Sequence, residues 1–183
     1  MDAAGPPDRP PEPTPRVRLE ALGPHHAEEM FPVLADPHIY RHLDYGPPAS
    51  VEALRALYTR LAAGRSPDGR ERWLNWLVRR VDDGSPAGYV QATVVPDRCA
   101  WVGYVFAPRH WGRGLATEAM RDLLARLVQD HPVPVLLATV EAANTRSAAL
   151  LARLGFEQAP AGDADAEALA PTERLYRRRL HRP

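Results

Sequence analysis

Two glycines one residue apart, Gly112 and Gly114, stand in the run Arg109-His110-Trp111-Gly112-Arg113-Gly114, with apolar residues before it and a helical pattern after it. The free N–H groups at a helix start, with the helix dipole behind them, bind anions. Glycine lets the backbone curl around a phosphate without a Cβ clash. The run is therefore a candidate grip for a pyrophosphate. A Walker loop would need a lysine before Ser or Thr, and all 23 basic residues are arginine. A dinucleotide fingerprint would need a third glycine early in a βαβ unit. At this level a plain glycine turn without a ligand stays open.

The elements that position this loop read as follows. Residues 16–22 alternate polar and apolar side chains and form a first strand. Residues 25–36 form a short helix interrupted by Pro32, and 36–48 a loop or broken helix. Ser50 caps a helix whose apolar face is Leu54, Leu57, Tyr58 and Leu61. Strands at 72–80, 87–95 and 99–107 make an antiparallel meander, with a hairpin turn at 82–85. The helix Leu115–Gln129 buries Ala116, Ala119, Met120, Leu123, Leu124 and Leu127, and turns Glu118, Asp122 and Arg126 outward. A buried strand at 133–141, a helix at 144–156 and a strand at 172–180 complete the chain, with loop 159–170 carrying an acidic run at 163–167. Asn144 stands near the N-cap of that last helix and Gly155 at its end. The order predicts an α/β (α+β) fold around a mixed sheet.

Composition sets limits. At 183 residues the chain is long enough for one domain with a real core. Residues 1–15 are rich in proline and poor in apolar residues, which predicts a disordered leader ahead of a single domain over 16–181. No run approaches the roughly 18 apolar residues of a membrane span, and no apolar signal core is visible at the N-terminus. The expectation is a cytoplasmic protein without membrane or nucleic-acid partners, since the formal net charge is zero. A lone cysteine, Cys99, excludes an internal disulfide and a cysteine zinc site, and no histidine spacing suggests a metal.

Two motifs identify a relative. Gly103-Tyr104, Pro108, Trp111-Gly112, Gly114, Ala116 and Glu118-Ala119 form the first; Asn144, Ser147, Leu150, Leu154, Gly155 and Phe156, about 30 residues on, form the second. Together they resemble the GNAT superfamily of N-acetyltransferases, in its ribosomal-protein N-terminal acetyltransferase branch. The resemblance is strongest over 100–156 and implies a mostly antiparallel sheet flanked by helices, with a splayed strand pair that binds acetyl-CoA. It implies transfer of an acetyl group to a primary amine, a protein N-terminal α-amine or a small-molecule or antibiotic amine, by direct attack in a ternary complex. The alternative on the same fold is a non-catalytic acyl-CoA-binding or sensory module. Monomer and homodimer are both compatible with it.

By match to the family's motifs, the amides around Arg109, His110, Trp111, Gly112, Arg113, Gly114 and Leu115 hold the CoA pyrophosphate, with Ala116 and Thr117 in the first helical turn. Val105, Phe106 and Ala107 occupy the strand that pairs with pantetheine, where a free amide would polarise the thioester carbonyl. Asn144 matches the asparagine that contacts the pantetheine arm or a water. The tyrosine found seven residues later in many members is Leu151 here. The branch's serine, Ser147, is the expected acid for the leaving thiolate; its other reading is a helix serine bonded to a backbone carbonyl. Glu141 is the candidate base, or else a solvated turn residue. Asp36, Tyr40 and Trp76 are the candidate substrate contacts, with His38 beside them, and surface polarity or sheet packing as their plain readings. His110 is expected to be exposed, and His25 and His26 to sit at a helix start.

Overall fold

The computed structural model describes residues 14–160, 163 and 169–180. Most of the expected leader, most of the acidic run at 163–167 and the end of the expected domain at 181 lie outside the described residues. Strand β1 is Val17–Ala21; a 3₁₀ turn at Pro24–His26 leads into helix α1, Ala27–Leu34. A second 3₁₀ turn, Pro37–His42, lies within the segment expected to be a loop or broken helix, before α2, Val51–Leu61. Then come β2 (Arg72–Arg80), β3 (Pro86–Val95) and β4 (Cys99–Phe106). The glycine loop, opened by a 3₁₀ turn at Pro108–His110, leads into α3 (Leu115–Asp130). The chain ends with β5 (Val135–Glu141), α4 (Thr145–Arg153), β6 (Glu157–Gln158) and β7 (Glu173–Arg179). The two-residue β6 carried no sequence signal. Pro32 lies inside α1, which stops at Leu34; proline has no amide for the helical ladder, and its ring crowds the turn before it.

Among the described residues the strands form one sheet in the order β1-β2-β3-β4-β5-β7-β6. Every neighbouring pair is antiparallel except β4 and β5, which run parallel. Alternation along the strands sends opposite side chains to two layers. Val90, Ala92, Val102, Phe106 and Leu136 face α3 and α4, where Met120, Leu123, Leu127 and Leu151 complete the larger core. Leu77 and Val105 face α1 and α2, against Met30, Leu34, Leu54 and Tyr58.

One close approach shapes the sheet beside the site. The β2–β3 register shifts between Val78 and Arg79, opposite Gly88. A Cβ at Gly88 would stand 2.0 Å from the carbonyl oxygen of Val105, so only glycine lets β3 and β4 meet there.

The outer corner of β1 is held by charge. Arg79 donates to Glu20 at 2.7 Å and to Glu29 at 2.7 and 2.9 Å. The buried His26 accepts from the Gly23 amide at 2.9 Å through Nδ1, so its Nε2 carries the proton and donates to Glu20 at 3.1 Å. These bonds, the Arg79 bond first, hold the Glu20 carboxyl down at about 2. Glu20, His25 and His26 bring potential metal-ligand atoms within 4.8 Å of one another, but Arg79 and the Gly23 amide already occupy this group, and the guanidinium adds positive charge beside it.

Candidate active site

The parallel pair β4 and β5 is joined only at Ala100–Leu136 and Trp101–Leu137. Beyond that point the β4–β5 pairing stops, leaving an unpaired gap toward the C-terminal ends of both strands. The amide of Ala107 donates to Ala87 on the β3 side at 3.0 Å, and the Val105 carbonyl faces Gly88 on β3. Strand backbones alternate their hydrogen-bonding edge. Tyr104 and Phe106, past the last paired residues, therefore turn their backbone amides to the gap. Of the three residues expected to offer a free amide, Phe106 faces the opening; Val105 and Ala107 spend theirs on β3.

The glycine loop closes one end of this gap. Gly112 and Gly114 adopt positive φ, 74° and 78°, a backbone region that favours glycine. Gly114 is the residue before α3 and supplies no side-chain cap. By contrast, Ser50 caps α2 and Asn144 caps α4. The first amides of α3, at Leu115, Ala116 and Thr117, thus point out of the helix without a side-chain acceptor among the described residues, which suits a bound anion. The Trp111 indole donates to the Phe106 carbonyl at 2.8 Å, and the Arg146 guanidinium lies 4.5 Å from its ring centroid. Arg109 turns back, donating to the Pro86 carbonyl at 3.4 Å and to His110 Nε2 at 3.2 Å.

His110 corrects an expectation, because it is buried. Desolvation, then the charges of Arg109, Arg80 and Arg113, push its pKa down, so the ring is neutral. With Nε2 accepting from Arg109, the proton sits on Nδ1, which has no partner among the described residues. Glu118 is a second correction. Its carboxylate does not simply face water but accepts the backbone amides of Arg16 and Val17 at 2.6 and 3.2 Å.

Asn144, Ser147 and Glu141 meet at the other wall. The Asn144 amide donates to the Glu141 carbonyl at 2.8 Å, and Asn144 Oδ1 accepts from the Ser147 amide at 3.1 Å. The Tyr104 hydroxyl reaches from β4 to the Ser147 carbonyl at 3.3 Å, and burial raises its pKa, so it stays a phenol. Thr59 shows the back-bonded helix hydroxyl, donating to the Arg55 carbonyl at 2.9 Å. Ser147 makes no such side-chain bond among the described residues, and its hydroxyl is left for other partners. Glu141 is not merely a solvated turn residue, for its Oε2 lies 3.1 Å from His42 Nδ1. Sequence reading missed His42, which lies 99 residues from Glu141 along the chain.

The candidate substrate contacts separate. Trp76 packs into the core under α3, on the opposite sheet face from Val105. Asp36 caps the second 3₁₀ turn, accepting from the His38 amide at 2.9 Å. Tyr40 donates to the Leu34 carbonyl at 2.7 Å and meets the exposed Tyr45 edge-on at 5.7 Å; burial raises its pKa to about 12. Tyr45 in turn lies 3.1 Å, oxygen to oxygen, from Tyr89. Asp36 and Tyr40 thus shape the segment that carries His42 to Glu141 at the end of β5 and Tyr45 to Tyr89 on β3.

Comparison with known proteins bears on the family and the fold. The profile of the acetyltransferase (GNAT) domain matches residues 16–157. An uncharacterized N-acetyltransferase p20 from Bacillus licheniformis is 25% identical over 146 residues, 79% of this chain and 81% of its own. An L-2,4-diaminobutyric acid acetyltransferase from Streptomyces avermitilis is 32% identical over 96 residues, about half of each chain (50% and 52%). In fold, the chain resembles RimL, a ribosomal α-N-protein acetyltransferase solved in complex with coenzyme A, with a TM-score of 0.74 at 18% identity over 91% of this chain and 96% of that one. With a domain profile covering most of its length over a splayed β4–β5 pair and an uncapped glycine-loop helix, the chain belongs to the GNAT family of acetyltransferases.

Proposed function

We propose that this protein transfers an acetyl group from acetyl-CoA to the α-amino group of a protein N-terminus, by direct attack in a ternary complex. The observation that carries the reading is the β4–β5 gap, which ends between the uncapped start of α3 and the Glu141–Asn144–Ser147 wall. Pantetheine lies along the open edge of β4, and the amides from Gly112 to Thr117 receive the diphosphate. The Phe106 amide donates to the thioester oxygen, favouring the oxyanion that forms on attack. The amine nitrogen forms the new bond to the acetyl carbon as the C–S bond breaks.

Two protons move. The ammonium form gives one to the Glu141–His42 pair before attack; after attack the nitrogen gives its second to the Ser147 oxygen as the Ser147 hydroxyl proton passes to the departing thiolate, so the serine ends as a hydroxyl. An α-amine, with a solution pKa of about 8 against about 10.4 for lysine, is already partly neutral near pH 7 and asks little of its base. One carboxylate paired with an imidazole meets that demand.

A second reading, a small diamine as acceptor, is favoured by the similarity to the diaminobutyric acid acetyltransferase. Thiol release from acetyl-CoA is to be compared across N-terminal peptides, diaminobutyrate, polyamines and aminoglycosides, with mass spectrometry locating the acetyl group. Peptides acetylated at the α-nitrogen support the proposal. Turnover confined to the small amines replaces it with the second reading, and donor binding without turnover on any of them leaves a binding module.

A further inference from the structure

Arg16 lies outside both motifs, at the residue before β1, yet its side chain ends at the glycine loop. Its Nη1 donates to the Arg113 carbonyl at 3.0 Å and its Nε to Glu118 Oε2 at 2.9 Å. Its Nη2 has no hydrogen-bond partner among the described residues and lies 3.3 Å from where a Cβ on Gly114 would stand. The side chain is 56% exposed. A cation with a free donor therefore stands beside the left-handed residue that opens α3.

Glu118 explains why it stands there. A carboxylate in the first turn of α3 would by itself repel an anion held at that helix end. Here the carboxylate is turned to β1, where it grips the backbone of Arg16 and Val17 and one edge of the guanidinium. The Arg113 carbonyl, an acceptor that would otherwise face the same anion, is covered by Nη1. Both negative ends near the loop are thus neutralised by one side chain, and Nη2 remains to donate.

We infer that Arg16 is a phosphate ligand for the acyl donor, brought to the loop by Glu118 from the far end of the sequence. This rests on acetyl-CoA being the donor. Its Nη2–H bonds a phosphate oxygen of the coenzyme, on the diphosphate or on the 3′-phosphate, as a charge-assisted contact. Arg113 and Arg109 match the family's motif more closely, but Arg109 is turned to Pro86 and His110.

The test separates phosphate binding from simple anchoring of β1. Binding of CoA, 3′-dephospho-CoA and phosphate-free pantetheine is measured on the full chain and on Arg16→Gln and Arg16→Lys, by calorimetry and by thermal shift at millimolar ligand. Arg16→Gln should weaken CoA by roughly tenfold, less so as salt is raised, while the pantetheine shift is unchanged. Arg16→Lys loses the fork that grips Glu118 and Arg113 but keeps the charge, so CoA affinity should stay within about threefold even if the melting temperature falls. A penalty that persists with 3′-dephospho-CoA assigns the contact to the diphosphate; one that vanishes assigns it to the 3′-phosphate. Unchanged CoA affinity in Arg16→Gln, or an equal loss for pantetheine, overturns the inference. Absence of CoA binding by the unsubstituted chain overturns the donor reading and this inference with it.

Discussion

Ser147 shows what one side chain is asked to do. Its amide is tied to Asn144 and its carbonyl to Tyr104, which leaves its hydroxyl as the part of the residue not used for structure. Ser147→Ala should lower kcat roughly tenfold or more while the Kd for acetyl-CoA stays put, as read by steady-state kinetics beside calorimetry. Equal turnover would remove the hydroxyl from proton transfer. Gly88 makes a different kind of demand. A methyl group there meets the Val105 carbonyl at 2.0 Å, and backbone has no rotamer to yield. Gly88→Ala should cost about 2 kcal/mol, lowering the melting temperature by about 4–8 °C. It should also weaken acetyl-CoA, because the strain falls on the segment of β4 that borders the gap.

At the scale of elements, β1 and α1 are joined to the sheet by the Glu20–Arg79–Glu29 network and by His26. Glu20 has a folded pKa of about 2 against an ordinary 4.5, so the folded form binds fewer protons than the unfolded chain between those values. That contribution is complete above the unfolded value and is lost as pH falls from about 4.5 toward 2. His110 acts earlier. Its folded pKa lies below the ordinary 6.5, so its contribution is present above 6.5 and fades as pH falls through the depressed value. Thermal melts from pH 7 to pH 3 should therefore fall in two stages. Arg79→Met should flatten the lower stage, because Glu20 loses the bond that contributes most to its low pKa; His110→Gln should flatten the upper one. A variant whose melting curve keeps the slope of the parent in its window would contradict the assignment.

For the whole molecule, the gap interrupts a sheet whose other neighbouring pairs run antiparallel, and the donor is expected to bridge it. The amides of Tyr104 and Phe106, which lack a strand partner, should gain one from the pantetheine arm. Hydrogen exchange with and without acetyl-CoA should then show new protection at Tyr104, Phe106 and residues 112–117, and little change at β1–β2 pairing. The melting temperature should climb with the logarithm of acetyl-CoA concentration, as linkage requires for a ligand that binds only the folded chain. Uniform protection across the sheet would instead mean global stiffening, without a bridge at the gap.

Local pattern carried much of this architecture. Period-two and period-3.6 runs located the main strands and helices within a few residues, because each buries one face against a neighbour. The glycine loop and the Asn144–Ser147 turn were legible because their backbone chemistry is local: positive φ, helix caps and amides follow from adjacent residue types. The sequence by itself therefore determined the strand and helix periodicity, the glycine loop at the start of α3 and the identity of the motif residues. Tertiary structure alone decided the pairing of His42 with Glu141, the burial of His110, the removal of Trp76 to the far face of the sheet, and the arrival of Arg16 at Gly114. Those facts depend on which residues are brought together from distant parts of the chain, a property of strand order and register that no short window of sequence contains.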